Sequence, residues 1–237
     1  MNHASSHTQR FPRNPLMRGL CSLLLVFIAC SPLSAQVAID LEAIKSEFIN
    51  IDITQSARTN AWFAELASLE QEPLSVKLKR VNGFFNRSIQ LASDIDSWGE
   101  NNFWATPIEL IENRQGDSQD FALAKLVSLV LLEVPSDQLF LIYTLADGST
   151  SSIRDRRQHT VLLCACGSPN RPLILDSLEP RVLDVSRRSD LTPLAALRLS
   201  DHSYPAHLRN DPYYSPSPVQ RYLAKLHAAG LPTISDF

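Results

Sequence analysis

Apolar residues in the first half of the chain recur at the spacing of an α-helix. In the segment 56–69, for example, Trp62, Phe63 and Leu66 fall on one stripe of a helix. Thr106 followed by Pro107 is a residue pair that caps and opens a helix. The same reasoning predicts helices over residues 40–50, 56–69, 74–93, 106–113 and 118–133.

Beyond Pro135 the helical spacing gives way to short apolar runs that are typical of β-strands. A polar stretch over 147–157 separates the first two runs and predicts a long hairpin. Helices that come first and an antiparallel sheet that follows indicate an α+β domain. The predicted strands are QLFLIYTLA (138–146), QHTVLLCAC (158–166) and PLILDS (172–177).

The first 35 residues have the pattern of a secretory signal peptide. Three arginines precede the apolar run GLCSLLLVFIAC, and the small residue Ala35 follows it. An apolar run of about 12 residues is too short to span a bilayer as a stable anchor. A start at Met17 would leave an equally compact signal. The alternative is lipid attachment at Cys30, because FIAC loosely resembles a lipoprotein cleavage box.

This pattern predicts a signal peptide over 1–35, one peptidase-like domain over 36–199 and a C-terminal extension over 200–237. The extension is rich in Pro and Tyr, and one short helix is predicted over 219–229. We expect it to pack on the outside or to be partly mobile. Removing the leader changes the net charge from −3 to −6, because the leader carries three arginines and no acidic residue. This acidic balance argues against a nucleic-acid partner.

Cys164 and Cys166 are the cysteines that remain after the leader is removed. In VLLCAC they alternate with Ala165 on a predicted strand, so both point to the same face. Adjacent same-face positions on one strand have poor geometry for a disulfide. We therefore expect two buried thiols and a domain without disulfide cross-links.

The candidate chemistry starts at GDSQDFALAK (116–125), where an apolar helix follows a Gly-Asp turn. Ser118 heads that helix, His159 begins a strand and Asp176 ends the next one. A nucleophile at a helix N-terminus followed by His and Asp on neighbouring strands is the papain-like and transglutaminase-like order. A simpler interpretation remains open: Ser118 only caps the helix, and the other two side chains form a buried hydrogen-bonded pair.

Six motifs between residues 77 and 194 together resemble the bacterial transglutaminase-like cysteine peptidase family, which includes the periplasmic LapG-type proteases. The resemblance implies a helical lobe that carries the nucleophile, packed on a small antiparallel sheet that carries His and Asp. It also implies calcium-dependent cleavage of surface adhesins, regulated by an inner-membrane receptor for a cyclic dinucleotide. An adhesin segment and this receptor are the expected partners. The motifs are KLKRVNGFFNR, SWGENNFWATPIEL, GDSQDFALAK, QHTVLL, LILDSL and SRRSDLTPL.

The chain departs from this family at two neighbouring positions. Family members usually have Gly-Asp-Cys-Glu-Asp where this chain has Gly-Asp-Ser-Gln-Asp, so Ser118 replaces the nucleophilic cysteine and Gln119 replaces an acid expected at the calcium site. The resemblance assigns the base to His159 and its orienting partner to Asp176. Two changes together favour natural divergence over one introduced substitution.

Three acidic residues are the candidate metal ligands: Asp117, Asp120 and Asp94. Calcium prefers several oxygen ligands and gains from anionic ones, so an amide at position 119 predicts weakened binding. The two acids in the first helical turn also interact favourably with the helix dipole without a metal. Trp98 and Trp104, which follow Asp94, either pack in the core or form a cleft wall.

A cysteine at a helix N-terminus beside a protonated histidine is readily ionised, whereas a serine hydroxyl is not. We therefore expect a catalytically impaired homologue that still binds a protein partner. Two alternatives stay open. One is an active endopeptidase that uses a triad of Ser118, His159 and Asp176. The other is a structural or chaperone-like periplasmic domain.

Overall fold

The computed structural model describes residues 56–147, 157–167, 171–201 and 217–231. The predicted signal peptide, the alternatives at Met17 and Cys30, and the predicted helix over 40–50 lie outside these residues. Within the described ranges, no helix combines the length and the apolar character needed to cross a bilayer.

Helices form the first part of the described chain, and local caps fix several of their starts. The side chain of Ser56 accepts hydrogen bonds from two amides of the first turn, and Thr106 forms a reciprocal capping box with Glu109. The helices are α1 (Ala57–Leu69), α2 (Leu74–Ser88), α3 (Asp94–Trp98), α4 (Pro107–Asn113) and α5 (Ser118–Leu131), with α6 (Pro218–Ala228) near the C-terminal end.

The predicted helix over 74–93 is too long, because its last residues join a small sheet instead. Strand β1 (Gln90–Leu91) pairs in parallel with β2 (Gln115–Gly116). The amide of Gln90 donates to the carbonyl of Arg114 at 2.8 Å, so its backbone bonds are made outside the helix. Residues 90 and 91 therefore connect two distant parts of the chain.

The main sheet has five antiparallel strands in the order β6-β5-β4-β3-β7. The sequence predicted its three central strands but missed β6 and the edge strand β7. Helix α5 packs on β4, and its residues from Phe121 to Leu131 are buried. The α+β architecture with an antiparallel sheet is therefore confirmed. The strands are β3 (Leu139–Ala146), β4 (Arg157–Cys164), β5 (Leu173–Leu175), β6 (Leu183–Asp184) and β7 (Leu191–Leu197).

The C-terminal helix α6 is part of the core, contrary to our expectation that it packs on the outside. Tyr222, Leu223 and Leu226 are fully buried. Tyr222 packs edge-on against Trp104, and Lys225 donates to the carbonyl oxygen of Trp104 at 2.8 Å. The amphipathic face of α6 therefore covers apolar surface that the preceding helices leave open.

Cys164 and Cys166 form a disulfide, so the expectation of two separate thiols is wrong. The strand ends at Cys164, and the amide of Ala165 donates to the carbonyl of Gln138. The rule for alternating positions on a strand consequently does not apply to Cys166. The two Cα atoms lie 5.2 Å apart, within the range that a disulfide requires. The bond encloses a single residue, so it does not link distant segments.

Candidate active site and acidic cluster

The small parallel sheet brings the three candidate metal ligands together. Asp94 begins α3 shortly after β1, and Asp117 follows β2 directly. Since parallel strands end at the same edge of a sheet, these two side chains meet there. Asp120 joins them from the first turn of α5. One carboxylate oxygen of each residue lies within 4.8 Å of the others.

Gly116 permits this close approach. A Cβ atom at this position would lie 2.5 Å from Cδ1 of Leu110 and 2.7 Å from Oδ2 of Asp120. Neither neighbour has room to withdraw, because Leu110 and Asp120 are fully buried. The glycine of the Gly-Asp-Ser motif is thus required by packing around the acidic cluster.

Asp120 is held by three donors from different parts of the chain. Its Oδ1 accepts from the amide of Ala105 at 2.8 Å, and its Oδ2 accepts from Nε1 of Trp98 at 3.0 Å and the amide of Asp117 at 3.3 Å. The indole of Trp98 stacks on Phe103 with ring centroids 4.5 Å apart. Trp98 therefore orients a candidate metal ligand, a contact that the residue types alone did not predict.

The acidic cluster is electrostatically suited to a cation. Burial, followed by repulsion from Asp94, raises the pKa of Asp117 to about 6. Burial, followed by repulsion from Asp117, raises the pKa of Asp120 to about 7, and burial also raises the pKa of Asp94. Oδ1 of Asp94 is buried and has no hydrogen-bond partner among the described residues. Hard divalent cations bind carboxylate oxygens, and this cluster offers several of them, including one that lacks a hydrogen-bond partner.

Ser118 is the first residue of α5, but it does not cap the helix. The side chain of Asp117 is the cap, since its Oδ1 accepts from the amides of Gln119 and Asp120 at 2.8 and 2.9 Å. The hydroxyl of Ser118 instead accepts from the amide of Thr160 at 3.0 Å. Among the described residues, no hydrogen bond joins Ser118 to His159. The hydroxyl of Ser118 therefore lies against β4, the strand that carries His159, and its oxygen accepts a hydrogen bond from a backbone amide of that strand.

His159 and Asp176 form a buried pair between β4 and the end of β5. Nε2 of His159 lies 2.6 Å from Oδ1 of Asp176. Because an ionised carboxylate only accepts hydrogen bonds, Nε2 is the donor, and Nδ1 remains for a proton from another group. His159 and Asp176, the predicted base and its partner, are thus adjacent.

Several groups hold Asp176 in its charged form. Burial alone would raise the pKa of Asp176, but hydrogen bonds from His159, Leu178 and Arg188, together with the charge of His159, lower it to about 2. The buried Lys125 also faces this charge. Burial lowers the pKa of Lys125 to about 7, while the charge of Asp176 acts in the opposite direction. The site is therefore organised around a permanently anionic Asp176.

Two asparagines of α2 fix the loop that follows Asp176. Nδ2 of Asn86 donates to the backbone carbonyl of Asp176 at 2.7 Å, and Nδ2 of Asn82 donates to the carbonyl of Pro180 at 3.1 Å. Both residues lie in the motif KLKRVNGFFNR, but their residue types predicted no role for them. Their bonds to backbone atoms explain why neither could be identified from residue types alone.

A family model described as bacterial transglutaminase-like cysteine proteinase, BTLCP, matches residues 54–190. No curated protein gives a significant match to the chain.

Several solved structures of Legionella pneumophila LapG are similar to the chain. One is 33% identical with a TM-score of 0.55, over 67% of this chain and 84% of that chain. A calcium-bound form is 28% identical with a TM-score of 0.60, over 79% of this chain and 99% of that chain. An EGTA-treated form is 33% identical with a TM-score of 0.55, over 67% of this chain and 82% of that chain.

Proposed function

Because the chain belongs to the bacterial transglutaminase-like cysteine proteinase family, we propose that it is a catalytically impaired member that binds a protein segment without efficient cleavage. The observation that carries this proposal is the state of Ser118. By the resemblance of its motif, Ser118 stands where the family has its nucleophilic cysteine, and its oxygen accepts a hydrogen bond from the amide of Thr160 rather than bonding to His159.

This arrangement disfavours attack by Ser118 for two reasons. A helix N-terminus and a charged histidine ionise a thiol, but a hydroxyl must lose its proton to the base during attack. In addition, the amide of Thr160 withdraws electron density from the attacking oxygen and holds it on β4. Small displacements of a reacting atom cost about 100-fold in rate. We therefore expect cleavage to be slower than in the cysteine enzymes by orders of magnitude.

The features that would bind a protein segment are retained. The pair formed by His159 and Asp176 is intact, and large apolar side chains are exposed on the segments that carry the site. Leu91 and Ile95 flank the acidic cluster in sequence, and Leu178 follows Asp176 with 60% of its surface exposed. Exposed apolar side chains beside a polar site favour contact with a peptide.

Calcium binding by the acidic cluster is part of the proposal. Asp94, Asp117 and Asp120 would hold the ion, and their carboxylate oxygens fit it. When bound, calcium supplies positive charge that relieves the repulsion among these acids. Gln119 in place of an acid weakens this site relative to that of the family. The acids themselves fix the start of α5 and hence the position of Ser118.

We further propose that the chain works in the periplasm, as its signal-peptide pattern favours. The resemblance to LapG-type proteases supports two candidate partners, an adhesin segment and the inner-membrane cyclic-dinucleotide receptor. An adhesin segment is preferred because it would contact the same site residues as a substrate.

A paired binding and cleavage assay tests this function. The wild-type chain and its Ser118→Cys variant are mixed with an adhesin N-terminal segment from the same cell, with calcium or with chelator. We expect both proteins to bind the segment and only the cysteine variant to cut it. Steady cleavage by the wild-type chain would show that the proposal is wrong. Absence of binding by either protein would favour the structural or chaperone-like alternative.

Two matched leucine variants locate the binding surface. Leu178→Glu places a charge beside Asp176, whereas Leu194→Glu changes a leucine of similar exposure, 57%, on the edge strand β7. We expect only Leu178→Glu to weaken binding of the segment. Equal effects of the two variants would place the binding surface elsewhere.

An active serine endopeptidase is the second candidate, and the intact pair of His159 and Asp176 favours it. An electrophile that targets activated serines distinguishes the two functions. Labelling of Ser118 that is lost in the His159→Gln variant would establish a working serine. No labelling, under conditions in which a control serine hydrolase reacts, supports the impaired enzyme.

A further inference from the structure

Arg188 connects the buried carboxylate of Asp176 to Asp190 at the surface. Its Nη2 donates to Oδ2 of Asp176 at 2.6 Å and to Oδ2 of Asp190 at 2.8 Å. Its Nε donates to Oδ1 of Asp190 at 2.9 Å. The side chain of Arg188 is only 7% exposed, and that of Asp176 is fully buried. The guanidinium is thus held between the carboxylates of Asp176 and Asp190 and has little freedom to move.

The two oxygens of Asp176 have different partners. Oδ1 accepts hydrogen bonds from Nε2 of His159 at 2.6 Å and from the amide of Leu178 at 2.9 Å. Oδ2 accepts a hydrogen bond from Nη2 of Arg188. Among the described residues, Oδ2 has no other hydrogen-bond donor. A carboxylate can rotate about its Cβ–Cγ bond, and rotation would carry Oδ1 away from the imidazole. An anchor on Oδ2 prevents this movement.

We infer that Arg188 is a positioning residue for the histidine base. By fixing Oδ2 of Asp176, it holds Oδ1 against Nε2 of His159, keeps the proton of the neutral imidazole on Nε2 and leaves Nδ1 as the proton acceptor. The inference rests on the assignment of His159 as the retained base of the proposed function. The imidazole can be observed without partner binding or cleavage, so the two proposals fail separately.

The amide of Leu178 also restrains Oδ1, but no other described side chain bonds Oδ2 in place of Arg188. Asn86 donates to the backbone carbonyl of Asp176 and leaves the carboxylate free to rotate. Lys125 contributes charge, but its Nζ makes no hydrogen bond to any described residue. The segment that carries Arg188 is itself anchored, because the carbonyl of Asp190 accepts from the amide of Asp147 at the end of β3.

Nitrogen-15 NMR of the full chain with labelled histidine tests this inference. The resonances of His159 are assigned by their loss in the His159→Gln variant, and its tautomer is read at alkaline pH. We compare the wild type with Arg188→Met, Arg188→Lys and the control Arg187→Met. Arg187 is the exposed neighbour, and none of its hydrogen bonds reaches Asp176.

We expect the wild type and Arg187→Met to show a single tautomer with the proton on Nε2. Arg188→Met should lose this signature and show both tautomers. Arg188→Lys should restore it in part, because lysine keeps the charge but cannot bridge two carboxylates with one planar fork. An unchanged single tautomer in folded Arg188→Met would overturn the inference. If that variant does not fold, the tautomer is read in Arg188→Ala, where an unchanged single tautomer would overturn the inference equally.

Discussion

Acidification should stabilise the calcium-free protein, and the acidic cluster is the reason. The pKa of Asp120 is about 7 in the folded chain, against an ordinary value of 3.8. Between these values the folded state binds a proton that the unfolded state does not. Unfolding therefore releases this proton, and the free energy of unfolding rises as the pH falls through this range. Asp117, with a pKa of about 6, acts in the same direction.

The size of the effect follows from these two values. Each unit of difference in pKa corresponds to about 1.4 kcal/mol, so lowering the pH from about 7 to 5 yields about 2 kcal/mol from Asp120 alone. Because Asp117 and Asp120 repel each other, their contributions do not add fully. For a domain of this size, 2 kcal/mol raises Tm by about 4–8 °C.

Asp176 and Lys125, two other buried groups with shifted pKa values, titrate mainly outside this pH window. The pKa of Asp176 is about 2, so its stabilising charge is lost only as the pH falls from 3.8 towards 2. The pKa of Lys125 is about 7 instead of 10.5. Between these values the unfolded state binds a proton that the folded state does not, so this group lowers stability mainly as the pH falls from 10.5 to about 7. The comparison with Asp120→Asn, and not the pH interval alone, therefore assigns the effect to the acidic cluster.

Thermal unfolding at several pH values, with chelator or with calcium, measures this effect. With chelator, Tm should rise on acidification in the wild type and rise less in the Asp120→Asn variant, in which Asp117 still takes up a proton. Calcium, which competes with protons for the same oxygens, should raise Tm most near pH 7 and little at pH 5. Asp201→Asn, at an exposed acid, is the control. A chelated wild type whose Tm falls between pH 7 and 5 would refute the reasoning.

Three further substitutions test individual contacts. Gly116→Ala should lower the free energy of unfolding by about 1–3 kcal/mol, as overpacking does, and it should weaken calcium binding in a titration. The control Gly167→Ala, at an open position, should change neither quantity. Trp98→Phe removes a hydrogen-bond donor to Asp120 and should lower the free energy of unfolding in urea by about 1–3 kcal/mol. An unchanged calcium affinity in this variant would contradict the role of Trp98 in orienting Asp120. Tyr222→Ala should cost about 3–5 kcal/mol if α6 belongs to the core, and a loss below 1 kcal/mol would show that α6 is peripheral.

The elements that the sequence predicted well are those defined by neighbouring residues. Thr106 and Pro107 start α4 as expected, because a capping box needs only residues within one turn. Strands β3 and β4 differ from the predicted ranges by no more than two residues at each end. By contrast, β1, β2 and β6 contain two residues each, and their existence depends entirely on a partner strand. The edge strand β7 contains Pro193 and exposed alanines, so its residues alone do not indicate a strand.

The sequence by itself determined which family this chain belongs to, and its motifs predicted Ser118, His159 and Asp176 in the places of nucleophile, base and orienting acid. These properties reside in residue types and local order. Only the tertiary structure decided that Ser118 bonds to the amide of Thr160, that Trp98 holds Asp120, and that Arg188 anchors Asp176. Such contacts join segments that are distant in sequence, and their geometry depends on how the helices and the sheet pack. Since backbone amides are common to nearly every residue, no pattern of side chains could have revealed which amide would meet the hydroxyl.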